Sequence, residues 1–203
     1  MSLASHSTEP TDALRTGAED AGRIIGGDMS AWRRGIVLAV SGAGLGLGCQ
    51  SPQEIPKSQH AKLEQHIGTL VVTIEYNRPV ARGRRLFGGI VPFGEPWNPG
   101  ADAASTIRFS SDAEVEGHPV PEGTYSIWAI PGAEQWTFIL SRAANVFHVP
   151  YPEGRDELRL SLSAQTGPRM ETLGFYFPLV DADSALLHLH WGEMVLPVRL
   201  RAP

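Results

Sequence analysis

The stretch Thr124–Leu140 reads TYSIWAIPGAEQWTFIL, two runs in which aromatic and β-branched residues alternate with small or polar ones. The pair Pro131-Gly132 separates the two runs. Alternation with a period of two places apolar side chains on one face of a strand, and Pro-Gly favours a tight turn. The stretch therefore predicts two antiparallel strands joined by a short connection.

The same pattern continues on both sides of this pair. Short apolar or alternating runs, separated by Gly and Pro, occur at 70–76, 106–109, 113–117, 157–162, 172–177, 185–191 and 194–200. About eight or nine short strands with no convincing helix are typical of an antiparallel all-β sandwich or barrel. We expect a jelly-roll-like β-sandwich over residues 63–203, with these aromatic residues in its core: Trp128, Trp136, Phe138, Phe175, Phe177 and Trp191.

Pro197 lies inside the last of these runs. Because proline has no N–H to donate to a ladder of hydrogen bonds, it is confined largely to edge strands and bulges. Pro197 therefore predicts that the last strand is an edge strand.

The first 48 residues differ in composition from the rest. Residues 1–28 are rich in small and polar types and lack aromatics, which predicts a disordered or marginally helical segment, or an extension upstream of a start at Met29. Residues 29–48 (MSAWRRGIVLAVSGAGLGLG) have the layout of a signal peptide, and Arg33-Arg34 resembles a twin-arginine export motif. The apolar run 35–48 is shorter than the roughly 20 residues that a membrane-spanning helix needs.

Cys49 is the single cysteine of the chain, so no intramolecular disulfide can form. Leu47-Gly48-Cys49, followed by polar residues with two prolines, resembles the lipobox of bacterial lipoproteins. This predicts acylation of Cys49, a flexible tether over residues 49–62, and attachment to a membrane of the bacterial cell envelope. The alternatives are ordinary cleaved secretion, an uncleaved membrane anchor, or an apolar segment buried in the domain.

Residues 76–105 show no secondary-structure period. A stretch of this length without regular structure is uncommon in a compact domain and is usually functional or mobile. One interpretation is a ligand-binding pocket, with Arg84, Trp97, Asn98 and Asp102 as candidate binding residues. The other is a crossover between two sheets whose aromatic residues complete the core.

The same segment carries the one basic cluster of the sequence, formed by Arg78, Arg82, Arg84 and Arg85. Guanidinium groups suit the bidentate capture of carboxylates and phosphates, so the cluster could bind an anionic ligand or a lipid head group. The alternative is a solvated loop in which one arginine is held by an acid.

Two motifs suggest a family. RPVARGRRLFGGIVPFG (Arg78–Gly94) and PEGTYS (Pro121–Ser126) resemble the bacterial exported domain of unknown function DUF2911, and the resemblance covers roughly Ile67 to Leu200. The family often has W-R-x-G-A-N where this chain has Trp97-Asn98-Pro99-Gly100-Ala101-Asp102, so Asn98 replaces an arginine and Asp102 an amide. The resemblance implies an exported all-β domain and no established chemistry.

His188 and His190 are two residues apart, so on a strand they share a face and are weak candidates for a metal site. The apolar residues that alternate with them indicate the core face: Leu187, Leu189 and Trp191. The histidines are therefore expected on the outer, solvated face, and no metal is predicted.

The formal net charge of −5, without long basic runs, argues against a nucleic-acid partner. The sequence contains no nucleophile elbow, HExxH motif or phosphate-binding loop, so it predicts no cofactor and no nucleophilic catalysis. We expect a binding or interaction module with a small-molecule or protein partner, in addition to the membrane. The alternatives are a hydrolase that uses carboxylates such as Glu95 and Asp102, and a purely structural envelope protein.

The lipobox generates the first prediction. Protein purified from its native membranes should begin at Cys49 and carry the added mass of acyl chains, because the signal peptide is removed when the cysteine is modified. Intact mass spectrometry checks this. A chain that begins at Met1 or Met29 with an unmodified thiol would contradict the lipoprotein interpretation.

Overall fold

The computed structural model describes residues 57–203, which form an all-β domain. The predictions for the signal peptide, the acylated Cys49 and most of the tether lie outside the described residues. A search of residues 57–203 for a helix that is both long and apolar enough to cross a membrane finds none.

Ten strands form two antiparallel sheets in this part of the chain, which confirms the predicted sandwich. The strands are β1 (Gln59–Ile67), β2 (Leu70–Arg78), β3 (Thr106–Phe109), β4 (Ala113–Val115), β5 (His118–Val120), β6 (Gly123–Ile130), β7 (Gln135–Ser141), β8 (Asp156–Ser163), β9 (Gln165–Val180) and β10 (Ser184–Arg201). The larger sheet has the order β1-β2-β3-β6-β7-β8 and the smaller one β5-β4-β10-β9.

The predicted strand pair of Thr124–Leu140 is present as β6 and β7, at the interior of the larger sheet. Ala129 pairs with Phe138, and Ile127 pairs with Leu140. The side chains of all four residues are buried in the core cluster. This hairpin therefore presents one continuous apolar face to the smaller sheet.

Five of the six expected core aromatics are buried, and Phe177 is half-buried. Trp128 is buried on the opposite face of β6 from Ile127 and Ala129, as the alternation of a strand requires. There its ring packs against Tyr151, with centroids 5.1 Å apart, and its Nε1 donates to the hydroxyl of Ser126 over 2.8 Å. The loop that follows β7, residues 142–155, thus covers part of the outer face of the larger sheet.

Three details of the predicted strands were wrong. The first strand begins at Gln59, so residues 59–62, which were assigned to the tether, form the start of β1. The runs 185–191 and 194–200 are one strand, β10, since Gly192 at a φ of 60° absorbs a register shift without ending the strand. Because β1 and β5 were not predicted, the described strands number ten, rather than eight or nine, and two of them are long.

The edge-strand prediction from Pro197 was also wrong. β10 has β9 on one side and β4 on the other. Its pairing with β9 extends to Val195 and its pairing with β4 begins at Leu200, so Pro197 lies between the two sets of paired residues. The strand tolerates the missing N–H because neither ladder includes that position.

Candidate functional site

Residues 79–105, which we call the capping segment, connect β2 to β3 across one end of the sandwich. The segment bonds to both sheets. The backbone N–H of Ala81 donates to the carbonyl of Glu171 in β9 over 2.7 Å. Trp97 and Ala129 of β6 exchange two backbone hydrogen bonds, each of 2.8 Å. The capping segment is therefore an ordered crossover that spans the two sheets.

Trp97 is the centre of an aromatic cluster beneath this segment. Its ring stacks on Trp191 of β10, with centroids 5.9 Å apart and planes inclined by 12°. It meets Phe87 edge-on at 5.7 Å and Trp136 of β7 at 6.5 Å. Aromatic pairs of this kind stabilise the folded state beyond the burial of their surface. Trp97 therefore attaches the capping segment to both β7 and β10.

A cavity of about 400 Å³ lies beside this cluster. Its floor includes Trp97 and Trp191, and its opposite wall is His148 and Val149 of the loop 142–155. The volume falls within the range of about 300–1,000 Å³ that is usual for small-molecule sites. The cavity is thus lined by two chain segments that are distant in sequence.

Arg84 lines this cavity and is held in place by the backbone. Its Nε donates to the carbonyl of Ala81 and its Nη2 to the carbonyl of Val80, each over 2.9 Å. Its Nη1 has no hydrogen-bond partner in residues 57–203, and the guanidinium forms no ion pair there. Arg84 therefore presents an oriented positive charge with donors to spare.

A family model described as a protein of unknown function (DUF2911) matches residues 58–200. The chain belongs to the DUF2911 family. The match confirms the resemblance seen in the sequence and extends it from Ile67 back to residue 58, so that it includes all of β1. No curated protein and no solved structure matches the chain.

Asn98 lines the cavity with only 1% of its surface exposed. Its Nδ2 donates to the carbonyl of Ile127 over 2.7 Å, and its Oδ1 accepts from the N–H of Ser105 over 3.0 Å. The side-chain amide thus links Ser105, at the end of the capping segment, to Asn98 and to β6. Its evident role is to position Trp97, and ligand binding by Asn98 remains a prediction.

Asp102 does not line the cavity, but it positions a residue that does. Its carbonyl accepts from the N–H of His148 over 2.9 Å and lies 2.8 Å from the Nδ1 of the same residue. Because a carbonyl only accepts, Nδ1 carries a proton and Nε2 of neutral His148 is left as an acceptor. Asp102 adopts a φ of 62°, a conformation that Asn and Asp tolerate best, so the exchange of the family's amide for a carboxylate preserves the backbone.

The two carboxylates considered for hydrolysis are both exposed. Glu95 lines the cavity, whereas Asp102 lies outside it. The structure therefore does not bring the two acids together within one enclosed pocket.

The expectation that both histidines of β10 lie on a solvated face was wrong for His190, which is 5% exposed. Its Nε2 lies 3.0 Å from the carbonyl of Pro168 and its Nδ1 lies 3.0 Å from the hydroxyl of Tyr176. The register shift after His190 brings Gly167 and Pro168 of β9 against the ring. Both nitrogens of His190 are thereby engaged within the protein.

His188 is half-buried beside the same tyrosine, with its Nδ1 3.4 Å from the hydroxyl. Burial, and secondarily the charge of His190, lower the pKa of His188. Residues 57–203 contain no group of three or more His, Cys, Asp or Glu side chains that could hold a metal ion.

Sequence reasoning did not find the far wall of the cavity. His148 and Val149 lie in a loop whose sequence, VFHVPYP, has no motif that links it to the capping segment. Nor did it find that Trp191, expected in the core, stacks on Trp97. Both relations depend on the packing of distant segments.

The hydrogen bonds of Asn98 generate the second prediction. Asn98→Ala leaves a buried carbonyl and a buried N–H without partners, so the free energy of unfolding should fall by roughly 2–4 kcal/mol. Urea unfolding followed by tryptophan fluorescence measures the change. The matched control is Asn145→Ala, at an exposed position, which should change the free energy by less than about 0.5 kcal/mol. Equal effects of the two substitutions would contradict the role assigned to Asn98.

Proposed function

We propose that this protein is a lipid-anchored binding module of the bacterial cell envelope that takes a small amphipathic anion into the cavity beneath the capping segment. The observation that carries the proposal is the placement of Arg84 and the stacked pair Trp97–Trp191 in the lining of one cavity. A ligand with an apolar body and an acidic group satisfies both surfaces at once.

The apolar part of the ligand has a surface to bury. The half-buried Trp97 and its stacking partner Trp191 both line the cavity. Ile90 and Val149 line the mouth and are 45% and 56% exposed. Burial of apolar area releases about 25 cal/mol per Å². A hydrocarbon chain or ring that covers these side chains therefore buries apolar area of the lining as well as its own, and both contributions favour binding.

Arg84 is preorganised to bind the acidic group of the ligand. Two backbone carbonyls fix the guanidinium, so little side-chain freedom is lost on binding. A hydrogen bond to a charged group contributes about 1.5–3 kcal/mol. The Nε2 of neutral His148 is an acceptor and makes no hydrogen bond to a carboxylate, so Arg84 carries the recognition of the acidic group.

The geometry supports binding better than hydrolysis. A general acid that works near neutral pH is usually a carboxyl in an apolar, water-poor pocket. Glu95 is exposed at the cavity and Asp102 is exposed outside it. The features that the cavity does share with known small-molecule sites are an aromatic floor and a few oriented polar groups.

Binding of dodecanoate gives the third prediction. We expect isothermal titration calorimetry to detect dodecanoate binding, with weaker binding of dodecyltrimethylammonium, which has the same chain and the opposite charge. Arg84→Gln should weaken dodecanoate binding by roughly 10- to 100-fold, since it removes a charged hydrogen bond.

Arg108→Gln is the matched control, because Arg108 is also exposed and unpaired in residues 57–203 but does not line the cavity. It should bind dodecanoate as the unmodified protein does. The proposal fails if dodecanoate does not bind, or if the cation binds equally well and Arg84→Gln has no effect.

A further inference from the structure

Four large apolar side chains protrude at the end of the sandwich that carries the capping segment. Ile90 and Phe93 belong to that segment, and Phe147 and Val149 belong to the loop 142–155; each is 45–56% exposed. Ile90 and Val149 both line the mouth of the cavity, and Phe147 bridges to Ala103. We call these four residues the apolar rim. Ile90 and Val149 bring the two loops together at the mouth, and Phe93 and Phe147 lie two or three residues from them along each loop, so the four form one surface rather than scattered exposed residues.

Basic side chains lie directly beside the apolar rim. Arg82, Arg84 and Arg85 are exposed, and none forms an ion pair within residues 57–203. Arg85 and Phe93 meet over Gly88: a Cβ built there would lie 3.1 Å from Nη2 of Arg85 and 2.7 Å from the Phe93 ring. An exposed ring and a free guanidinium are thus immediate neighbours.

We infer that the apolar rim and these three arginines form a contact surface for an anionic phospholipid bilayer. Phenyl and branched aliphatic groups enter the boundary between head groups and acyl chains, while arginine reaches the phosphates with its guanidinium and keeps its stem along the apolar surface. Each basic residue near an anionic leaflet contributes about 1 kcal/mol. Glu95 and Asp102 are the exposed acids of the capping segment, against its three exposed arginines, so the positive charge predominates there.

The direction in which the chain enters the domain agrees with this contact. Gln59, the first residue of β1, pairs with Arg78, the last residue of β2 and the neighbour of the capping segment. The first described strand therefore starts at the end of the sandwich that carries the apolar rim. This part of the argument rests on the proposed anchor at Cys49, whereas the chemistry of the surface does not.

The opposite end of the sandwich provides a matched control. Leu179 and Val180 are also exposed, by 62% and 41%. They precede the turn at Ala182, whose carbonyl lies beside Gly68 at the other end of β2. These two residues match the rim in apolar exposure, and no arginine cluster adjoins them in the sequence.

The fourth prediction uses the full chain with Cys49→Ser, which prevents acylation and removes the one native thiol. Phe147→Cys or Val180→Cys then carries a single environment-sensitive fluorophore. With vesicles of phosphatidylglycerol and phosphatidylcholine, nitroxide-labelled lipid should quench the label at 147 and leave the label at 180 unquenched. Equal quenching at both sites, or no quenching at 147, overturns the inference. No quenching at 147 is also the result expected if the rim instead pairs two copies of the chain.

Charge and apolar area are tested separately in the same Cys49→Ser chain. Arg82→Gln with Arg85→Gln should weaken vesicle binding by roughly 30-fold at low salt, and Phe93→Ser with Phe147→Ser should weaken it in all salt conditions. Leu179→Ser with Val180→Ser should leave binding unchanged. Binding that is indifferent to the arginine pair, or equally strong on pure phosphatidylcholine, overturns the role of anionic lipid. None of these substituted residues lines the cavity, so dodecanoate binding can be measured independently in each variant.

Discussion

The contact between Trp97 and its three neighbours is the interaction on which the site depends. Trp97 exchanges two backbone hydrogen bonds with Ala129 of the larger sheet, and its ring stacks on Trp191 of the smaller sheet. Phe87 closes the cluster from within the capping segment. Trp97 therefore attaches a segment without regular structure to both sheets of the sandwich. Because the same segment lines the cavity, these contacts also fix the shape of the cavity.

This arrangement combines the two interpretations of the capping segment. The segment is a crossover whose aromatic residues complete the core, and it also forms one wall of a cavity. The two roles use different parts of the segment: Asn98 bonds inward to Ile127 and Ser105, while Arg84 keeps a free Nη1 beside the cavity. Gly100 allows the turn to close, because a Cβ there would lie 2.4 Å from the hydroxyl of Ser105.

Local pattern was enough to predict the fold class, and long-range packing was needed for the rest. The alternation in Thr124–Leu140 predicted the β6–β7 pair, since period-two alternation and Pro-Gly act over a few residues. It could not predict that β10 continues through Gly192 or that β9 shifts register over His190, because both depend on the partner strand. Arg84 and Trp97 were candidates because they lie in the aperiodic segment 76–105, whereas the position of His148 depends on its hydrogen bonds to the carbonyl of Asp102.

A crystal structure of the protein grown with dodecanoate tests the central claim most directly, because it locates the ligand without relying on the effect of a mutation. The account predicts a carboxylate within hydrogen-bond distance of Nη1 of Arg84 and a hydrocarbon chain lying against Trp97 towards Ile90 and Val149. A cavity without ligand density, or a carboxylate bound at an arginine outside the cavity, would contradict it.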